Sequence, residues 1–314
     1  MPKIAIVQYP PVLGDRDATL TRAVELSERA AKEGAELLIF PEAYVPGYPT
    51  HIWRLRPGAD IELCGRIHDH MVNNAVDIKA GHLQPMCSVA GKHGIDILIG
   101  CSEIDDQNSR STIYNSYVHI NSRGEVANVH RKVMPTNPER MVWGFGDGSG
   151  LQVIDSPVGR VGSLICWENF MPMARMALFA QGIDIYVAPT WDSSDGWLGT
   201  MQHIAREGRC YVASCCISMK GSDVPADFPD RQQCFPDDDE VINRGMSCII
   251  EPGGNIIAGP VIAENAIITA DVDLQKVQSS RRSLDIAGHY NRPDIFKFKV
   301  NRQSQSAAVF EDDE

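Results

Sequence analysis

The chain has 314 residues, of which 43% are hydrophobic and 22% are charged. These fractions are ordinary for a globular protein and exclude a fibrous repeat or an intrinsically disordered chain. The formal net charge of −12, without a basic stripe, argues against nucleic acid and anionic membrane surfaces as partners. No apolar run approaches the ~18 residues of a membrane-spanning helix. The initial segment MPKIAIVQYP has too short an apolar run for a signal peptide and lacks a small-residue cleavage site, so we expect a cytoplasmic protein.

In the first third of the chain, apolar runs of strand type alternate with helical patterns. Asp17 has the character of a helix N-cap, an apolar stripe with helical spacing follows it, and Gly34 ends the stripe. The predicted elements are strand Lys3–Tyr9, a helix from Asp17 to Gly34, strand Glu36–Phe40, a long polar helix from about Ile67 to Lys92 broken at Pro85, and strand 95–101.

The rest of the chain mixes hairpins with further alternation of strand and helix. The predicted elements are strands Ile113–Ile120, Glu125–Arg131 and Gly162–Trp167, helix Met173–Gln181, strand 183–189, helix Leu198–Glu207, strand 210–216, and strands Gly245–Glu251, Ile256–Ala258 and Ala266–Val272. This interleaving predicts mixed β-sheets with helices on their outer faces. Because no linker divides the chain, we expect one domain, residues 1–285, and a tail, residues 286–314.

The nine cysteines carry information about compartment and chemistry. Their number is odd and no CxxC pair occurs, which argues against a disulfide framework, a structural zinc site and a thioredoxin-like redox pair. Most of them are therefore expected to be small buried packing residues. Sequence context has to single out any cysteine with a chemical role.

Three chemically active residue types follow predicted strands, which is where α/β folds place their sites. Glu42 follows the buried run ELLIF and a proline, and Lys132 follows a strand that ends in His-Arg. Cys166 lies between a strand and a helix that begins near Pro172, the strand–turn–helix order of a nucleophile elbow. We expect the helix N-terminus and a nearby lysine to lower the pKa of the Cys166 thiol.

These three side chains form a coherent chemical set. A thiolate attacks an electrophilic carbon, a carboxylate moves protons, and an ammonium stabilises developing negative charge. Taken singly, each residue also has an ordinary explanation, as a buried packing cysteine or a solvated charge at a strand end. A Cys–His protease would need a histidine near the nucleophile, and the context of no histidine singles it out; those considered are His51, His130, His203 and His289.

In this order and spacing, the three segments resemble the nitrilase (carbon–nitrogen hydrolase) superfamily over residues 1 to about 290. Glu42, Lys132 and Cys166 match its Glu-Lys-Cys triad. Within the superfamily the chain is most similar to true nitrilases, in the loop from Arg131 to Gly148 and in the motifs Cys-Trp-Glu-Asn, beginning at Cys166, and Gly-His-Tyr, residues 288–290. The resemblance implies a four-layer αββα sandwich of mixed β-sheets with outer helices, assembled as a homodimer or a higher homo-oligomer.

The resemblance also implies a reaction, the hydrolysis of an organic nitrile to a carboxylic acid and ammonia through a thioimidate and a thioester on Cys166. Glu42 is then the general base, and Lys132 and the backbone N–H of Trp167 stabilise the tetrahedral species. Glu139 is implied as a second carboxylate beside the lysine. No metal or organic cofactor is required. Two alternatives stay open: an amidase of the same superfamily, and a catalytically silent member that acts as a binding or assembly protein.

Aromatic residues in or near the motif segments are candidates for lining an apolar substrate pocket. They are Tyr48, Trp143, Trp167 and Trp191, with Tyr44 and Trp197 as further candidates. The class of nitrile, whether aliphatic, aromatic or arylaliphatic, stays open. The Met-rich helix after Cys166 and the alternating stretch Ile295–Val300 are expected to contribute to an interface between subunits, whereas the polar, acidic end of the tail is expected not to pack.

Overall fold

The computed structural model describes residues 1–56, 58–105, 109–306 and 308. Thirteen strands form two sheets in this part of the chain. They are β1 (Lys3–Gln8), β2 (Leu37–Ile39), β3 (Asp96–Ile104), β4 (Ile113–Ile120), β5 (Val126–Arg131), β6 (Ile154–Ser156), β7 (Gly159–Ser163), β8 (Ile185–Pro189), β9 (Tyr211–Cys215), β10 (Ser218–Lys220), β11 (Val241–Ile250), β12 (Ile256–Ile262) and β13 (Ala266–Asp271).

Seven α-helices accompany the strands in the described residues, and none of them is long and apolar enough to span a membrane. They are α1 (Arg16–Lys32), α2 (Ile61–Asn73), α3 (Gln84–His93), α4 (Pro172–Phe179), α5 (Asp195–Gly208), α6 (Arg231–Cys234) and α7 (Leu274–Arg281).

Both sheets are mixed. The first has the strand order β13-β1-β2-β3-β4-β5, in which β1, β2 and β3 are parallel and the other neighbours are antiparallel. The second has the order β10-β11-β9-β8-β7-β6, with β12 paired to β11 and with β7, β8 and β9 parallel. The predicted mixed α/β architecture is therefore confirmed.

The apolar runs of the strands place side chains in two different cores. Successive residues of a strand point to opposite faces of its sheet. In β1, Ile4 and Ile6 pack between the two sheets, whereas Ala5 and Val7 pack under the helices. Continuous apolar runs are what a sheet that is covered on both faces requires.

Helices close the two outer faces and complete four layers. On the first sheet, α1 and α3 pack through side chains such as Leu20 and Met86. On the second sheet, α4 and α5 pack through Leu178, Met201 and Ile204. The predicted αββα sandwich is therefore confirmed, with a sheet-to-sheet core in the middle and a helix-to-sheet core on each side.

Several predicted boundaries are wrong. The N-cap of α1 is Asp15, whose carboxylate accepts from the Ala18 N–H at 2.9 Å, while Asp17 lies in the first turn and pairs with Arg16. The long helix is two helices, and Pro85 lies in the first turn of α3, where its missing N–H costs no helical hydrogen bond. The strand predicted to reach Trp167 ends at Ser163, and the short elements β6, β10, α6 and α7 lie outside every predicted element.

The tail has no helix or strand in its described residues after Arg281. Ile295 and Phe296 are exposed, so the alternating stretch forms no strand within the chain, and its pairing with a second copy stays a prediction. Gln305 lies in the segment that was expected not to pack, yet its N–H donates to Asp147 at 2.8 Å. Residues 307 and 309–314, which include most of the acidic end, lie outside the described residues.

Gly100 on β3 is required by a close approach of two backbones. A Cβ there would lie 2.4 Å from the Pro41 carbonyl oxygen and 2.5 Å from the Ala43 nitrogen. The segment after β2 therefore passes directly over β3, with Ala43 at a positive φ of 46°. This crossing fixes where the Glu42 side chain leaves the backbone.

We expect Gly100→Ala to lower the free energy of unfolding by about 1–3 kcal/mol, because the added methyl group overpacks a contact between backbones. Urea unfolding followed by circular dichroism measures the change. Gly65→Ala is the control, since the surroundings of Gly65 on α2 are open and alanine is the better helix former by about 1 kcal/mol. If both substitutions changed the free energy of unfolding equally, the close approach of the two backbones would not be the reason that position 100 requires glycine.

Candidate active site

A buried ammonium held between two carboxylates forms the centre of the site. Lys132 follows β5, Glu42 follows β2, and Glu139 lies in a 3₁₀ turn, Asn137–Met141. The Lys132 Nζ donates to Glu42 Oε1 and to Glu139 Oε2, each at 2.8 Å. All three side chains are at most 2% exposed. The structure thus brings together three of the four predicted catalytic residues in direct contact.

Other polar groups fix the two carboxylates. Asn115 on β4 donates from its side-chain amide to Glu42 Oε1 at 2.8 Å. Glu139 accepts from the Tyr48 hydroxyl at 2.6 Å and from the backbone N–H of Thr136 at 2.7 Å. Glu42 Oε2 has no hydrogen-bond partner among the described residues. That oxygen is therefore the part of the cluster that is free to accept a proton.

Burial and mutual charge set the protonation of the cluster. Burial raises the pKa of Glu42, and the nearby Glu139 raises it further, while Lys132 acts in the opposite direction. Burial alone would lower the pKa of Lys132, but the Glu42, Cys166 and Glu139 charges outweigh burial and raise it. The lysine therefore stays charged, and the pKa of Glu42 lies above its ordinary value.

Cys166 lies at a strained turn immediately after the parallel strand β7. Its φ is +51°, in the left-handed region that non-glycine residues seldom adopt. The turn runs from the strand into a 3₁₀ turn, Cys166–Phe170, and then into α4, so the predicted strand–turn–helix order is confirmed. The Thr190 hydroxyl, just beyond the end of β8, donates to the Cys166 Sγ at 3.3 Å.

The predicted lowering of the thiol pKa is wrong. Burial raises the pKa of Cys166, and the Glu42 carboxylate adds to the rise, while Lys132 and the Thr190 hydroxyl only partly oppose it. Sequence spacing showed the lysine and the helix, but it does not show that the sulfur is almost fully enclosed. The resting group is a thiol, so a base has to remove its proton when it reacts.

Glu168 links the turn that contains Cys166 to the strand end that carries Lys132. Its two carboxylate oxygens accept from the backbone N–H groups of Ile165 and Val133, each at 2.6 Å, and the carboxylate also contacts the His130 ring at 3.0 Å. Burial would raise the pKa of Glu168, but His130 and the two backbone N–H groups hold it below its usual range. One carboxylate therefore holds the residues adjacent to both Cys166 and Lys132.

Asn169 holds the same turn from its other side. Its side-chain amide donates to the carbonyl oxygens of Cys166 and Leu164 at 2.7 and 2.9 Å. The Tyr186 hydroxyl in turn donates to the Asn169 side-chain oxygen at 2.7 Å. The strained turn is thus held by side chains buried in the helix-to-sheet core.

A pocket of about 340 Å³ opens above Cys166 and Glu139. Three of the predicted pocket residues line it: Tyr48, Trp167 and Trp191. Trp143 does not line it in the described residues; it is buried behind Tyr48, with ring centroids 5.5 Å apart and the rings nearly perpendicular. Trp53 and Asp192 do line the pocket, and no motif pointed to them.

The histidines take no part in the immediate surroundings of the sulfur. His130 is buried against Glu168, and the Cys166 Sγ has the Thr190 hydroxyl as its partner in the described chain. A Cys–His arrangement is therefore not what the fold assembles. Within the same residues, no group of three His, Cys, Asp or Glu side chains is placed to hold a metal ion.

The chain matches known proteins over nearly its whole length. Residues 3–282 match the family described as carbon–nitrogen hydrolase. An aliphatic nitrilase from Sinorhizobium fredii is 37% identical over 313 residues, which cover 98% of each chain. Nitrilase 2 of Arabidopsis thaliana is 38% identical over 316 residues, which cover 98% of this chain and 91% of that protein.

A solved structure shows the same fold. Saccharomyces cerevisiae Nit3, a member of branch 10 of the nitrilase superfamily, has a TM-score of 0.72 at 22% identity, covering 93% of this chain and 97% of that chain. The family match over residues 3–282 and the nitrilases at 37–38% identity confirm the resemblance seen in the sequence motifs.

We expect Glu168→Gln to lower the free energy of unfolding at pH 7 by about 1–3 kcal/mol, because an amide leaves one of two buried N–H groups unpaired. The pKa of Glu168 is depressed in the folded state, so its stabilisation is present at neutral pH and is lost as the pH falls below the ordinary value of 4.5. The difference in the free energy of unfolding between the wild type and Glu168→Gln should therefore become smaller as the pH is lowered.

Urea unfolding near neutral pH and in acid measures both effects. Glu62→Gln, at an exposed position of α2, is the control and should change stability by less than about 0.5 kcal/mol. A Glu168→Gln protein as stable as the wild type at pH 7 would contradict the tie between the two segments.

We expect Thr190→Val to slow alkylation of Cys166 by iodoacetamide about tenfold at a given pH, the factor that one pKa unit represents. Valine has nearly the shape of threonine but cannot donate to the sulfur, so the thiol pKa rises further and the rate profile moves to higher pH. Mass spectrometry of the Cys166 peptide measures the rate. Thr190→Ser keeps the hydroxyl donor and should be alkylated at the rate of the wild type. Equal alkylation rates in all three proteins would contradict an effect of this hydrogen bond on the thiol pKa.

Proposed function

Because this chain belongs to the carbon–nitrogen hydrolase family, we propose that it is a nitrilase, which converts R–C≡N and two molecules of water into R–COOH and NH₃. The observation that carries the proposal is the buried ammonium of Lys132 between Glu42 and Glu139, next to a pocket that Glu139 and Cys166 line. Nucleophile, base and stabilising charge are all side chains, so the proposed reaction requires no metal or organic cofactor.

The first step forms the bond between sulfur and the nitrile carbon. The unpartnered Oε2 of Glu42 accepts the thiol proton as the sulfur attacks. Glu42 then gives this proton to the nitrile nitrogen, so that the product is a thioimidate on Cys166 and Glu42 is again a carboxylate. The raised pKa of the thiol makes this removal of its proton by Glu42 a necessary part of the step.

Two additions of water complete the cycle. Glu42 accepts a proton from the first water, which adds to the thioimidate carbon, and the tetrahedral species expels ammonia to leave a thioester. A second water attacks the thioester, releases the carboxylic acid and returns the thiol. The ammonium of Lys132, with the backbone N–H of Trp167, stabilises the charge that develops in these tetrahedral species.

Glu139 keeps the lysine charged and in place. It accepts from Lys132 and, through its other oxygen, from the Tyr48 hydroxyl at the pocket wall. We therefore assign it a supporting electrostatic role, with Glu42 as the base. The assignment agrees with the free oxygen of Glu42 and with the lack of a free oxygen on Glu139.

An amidase is the alternative activity, and the test below separates the two. The nitrilases of Sinorhizobium fredii and Arabidopsis thaliana that match nearly the whole chain favour the nitrile. A silent binding protein would have no need to keep a charged lysine in the core.

We also propose a homodimer or higher homo-oligomer in the cytoplasm, without nucleic acid or membrane partners. The exposed Met173 on α4 supports a contact surface between subunits on that helix.

We expect Cys166→Ala to abolish the release of ammonia and acid from nitriles, because no other group supplies the nucleophile. Lys132→Ala and Glu42→Gln should each lower kcat by at least about 10²-fold, the scale of losing one stabilising or proton-accepting group. Ammonia assays with a nitrile and with the matching amide, combined with chromatography of the acid, measure the effects.

Cys215→Ala is the matched control, since Cys215 is a buried cysteine of the sheet-to-sheet core and should lose only packing energy. Substantial nitrile hydrolysis by Cys166→Ala would overturn the mechanism. Release of ammonia from the amide alone would identify an amidase instead of a nitrilase.

A further inference from the structure

Four of the nine residues that line the pocket above Cys166 are aromatic. Tyr48 and Trp191 stack with their ring centroids 4.4 Å apart and their planes 11° from parallel. Trp53 and Trp167 are 52% and 45% exposed, although large aromatic side chains usually lie inside a protein. Four aromatic rings around one cavity suit an apolar ligand, and their faces also attract a cation.

The charged groups that line this pocket are both carboxylates. They are Glu139 at the base and Asp192 beside Trp167, and no lysine, arginine or histidine lines the pocket in the described part of the chain. The ammonium of Lys132 does not reverse this sign, because it is shared between Glu42 and Glu139. With a carboxylate on each side of the ammonium, the base of the pocket carries no net positive charge, and Asp192 adds a negative charge beside it.

Asp192 is held in its position by several hydrogen bonds. Its Oδ1 accepts from the Ser194 N–H at 2.9 Å, and its Oδ2 accepts from the Trp167 indole N–H at 3.0 Å. Its own N–H donates to the Thr190 hydroxyl at 2.9 Å. A carboxylate oxygen can accept two hydrogen bonds, so each oxygen retains capacity towards the pocket.

The neighbouring arginine does not neutralise Asp192. Arg244 contacts the same loop, but its guanidinium donates to the Ser193 carbonyl oxygen at 2.8 Å and to Asp195 at 2.9 Å. Arg244 is not among the residues that line the pocket. The carboxylate next to Trp167 is therefore a fixed negative charge at the substrate's side of the site.

We infer that the pocket selects nitriles by charge, with Asp192 as the determining residue: it accepts neutral and cationic nitriles and rejects nitriles that carry a carboxylate. The inference rests on the proposed function. A carboxylate on the part of the substrate next to Asp192 would meet a like charge, and no cationic side chain lines the pocket in the described residues. An ammonium there would meet a carboxylate and aromatic faces. The net charge of −12 also repels anionic nitriles and attracts cationic ones as they approach the protein.

Two series of nitriles matched in size test this inference. The aliphatic series is hexanenitrile, 5-aminopentanenitrile and 4-cyanobutanoate, and the aromatic series is 4-ethylphenylacetonitrile, 4-(aminomethyl)phenylacetonitrile and 4-carboxyphenylacetonitrile. In the series that the wild type hydrolyses, kcat/KM for the anion should be at least about tenfold below that for the neutral nitrile, a factor that corresponds to about 1.4 kcal/mol. The cation should match or exceed the neutral nitrile.

Asp192→Asn should raise the ratio of anion to neutral kcat/KM at least about threefold, because it removes one charge and keeps the side-chain shape. Using the ratio cancels any general loss of activity. Asp195→Asn is the matched control. It removes the same charge three positions further along the chain, at the first residue of α5, from a side chain that pairs with Arg244 and does not line the pocket. Its ratio should equal that of the wild type.

The outcomes separate the inference from the function on which it rests. If the wild type hydrolyses none of the six nitriles, the proposed function fails. If it hydrolyses neutral and anionic nitriles equally well, the function stands and the charge selection is wrong. If anions are rejected but Asp192→Asn leaves the ratio unchanged, or changes it no more than Asp195→Asn does, the assignment to Asp192 is wrong.

Discussion

The interaction on which the rest of the site depends is the ion pairing of Lys132 in the interior of the protein. Removing an ammonium from water costs several kcal/mol, and only well-placed opposite charges compensate for that cost. Here both carboxylates lie 2.8 Å from the nitrogen, and each has a further donor of its own, Asn115 for Glu42 and Tyr48 for Glu139. The cluster therefore specifies the relative positions of β4, the segment after β2 and the 3₁₀ turn that holds Glu139.

The fold supplies these groups through one topological rule. Glu42, Lys132, Cys166 and Thr190 all follow the carboxyl ends of strands, β2, β5, β7 and β8 respectively. Strands β2 and β3 are parallel, and β5 runs in the same direction as β3 because two antiparallel pairings separate them. Strands β7 and β8 are parallel in the other sheet. Each sheet thus contributes its carboxyl end to the same cavity, as open α/β sheets generally do.

The sequence was sufficient to select Glu42, Lys132 and Cys166 as candidates, because each is a reactive residue type that follows an apolar strand and lies in a recognisable motif. No sequence pattern singles out Asn115, because a polar residue inside a strand is not distinctive. Glu168 is part of the Cys-Trp-Glu-Asn motif, but its partner Val133 is 35 residues away, so its function becomes visible only when β5 and β7 meet in space. Local sequence does not report which side chains are buried. It therefore did not show that Trp53 lines the pocket, that Trp143 is buried behind Tyr48, or that the pKa of Cys166 is raised.

The Glu168 carboxylate has a mechanical consequence, since the two N–H groups it binds belong to segments that continue different sheets. Val133 follows β5 of the first sheet and Ile165 follows β7 of the second. The separation of Cys166 and Lys132 therefore depends on how the two sheets are aligned. The apolar side chains between the sheets and the hydrogen bonds of Gln8 to Ser247 and Val261 also hold this alignment. A slip of about 1 Å between layers can cost 10²-fold in rate. On heating, enzymatic activity is therefore expected to be lost before either sheet unfolds, so that loss of activity reports a shift of one sheet relative to the other.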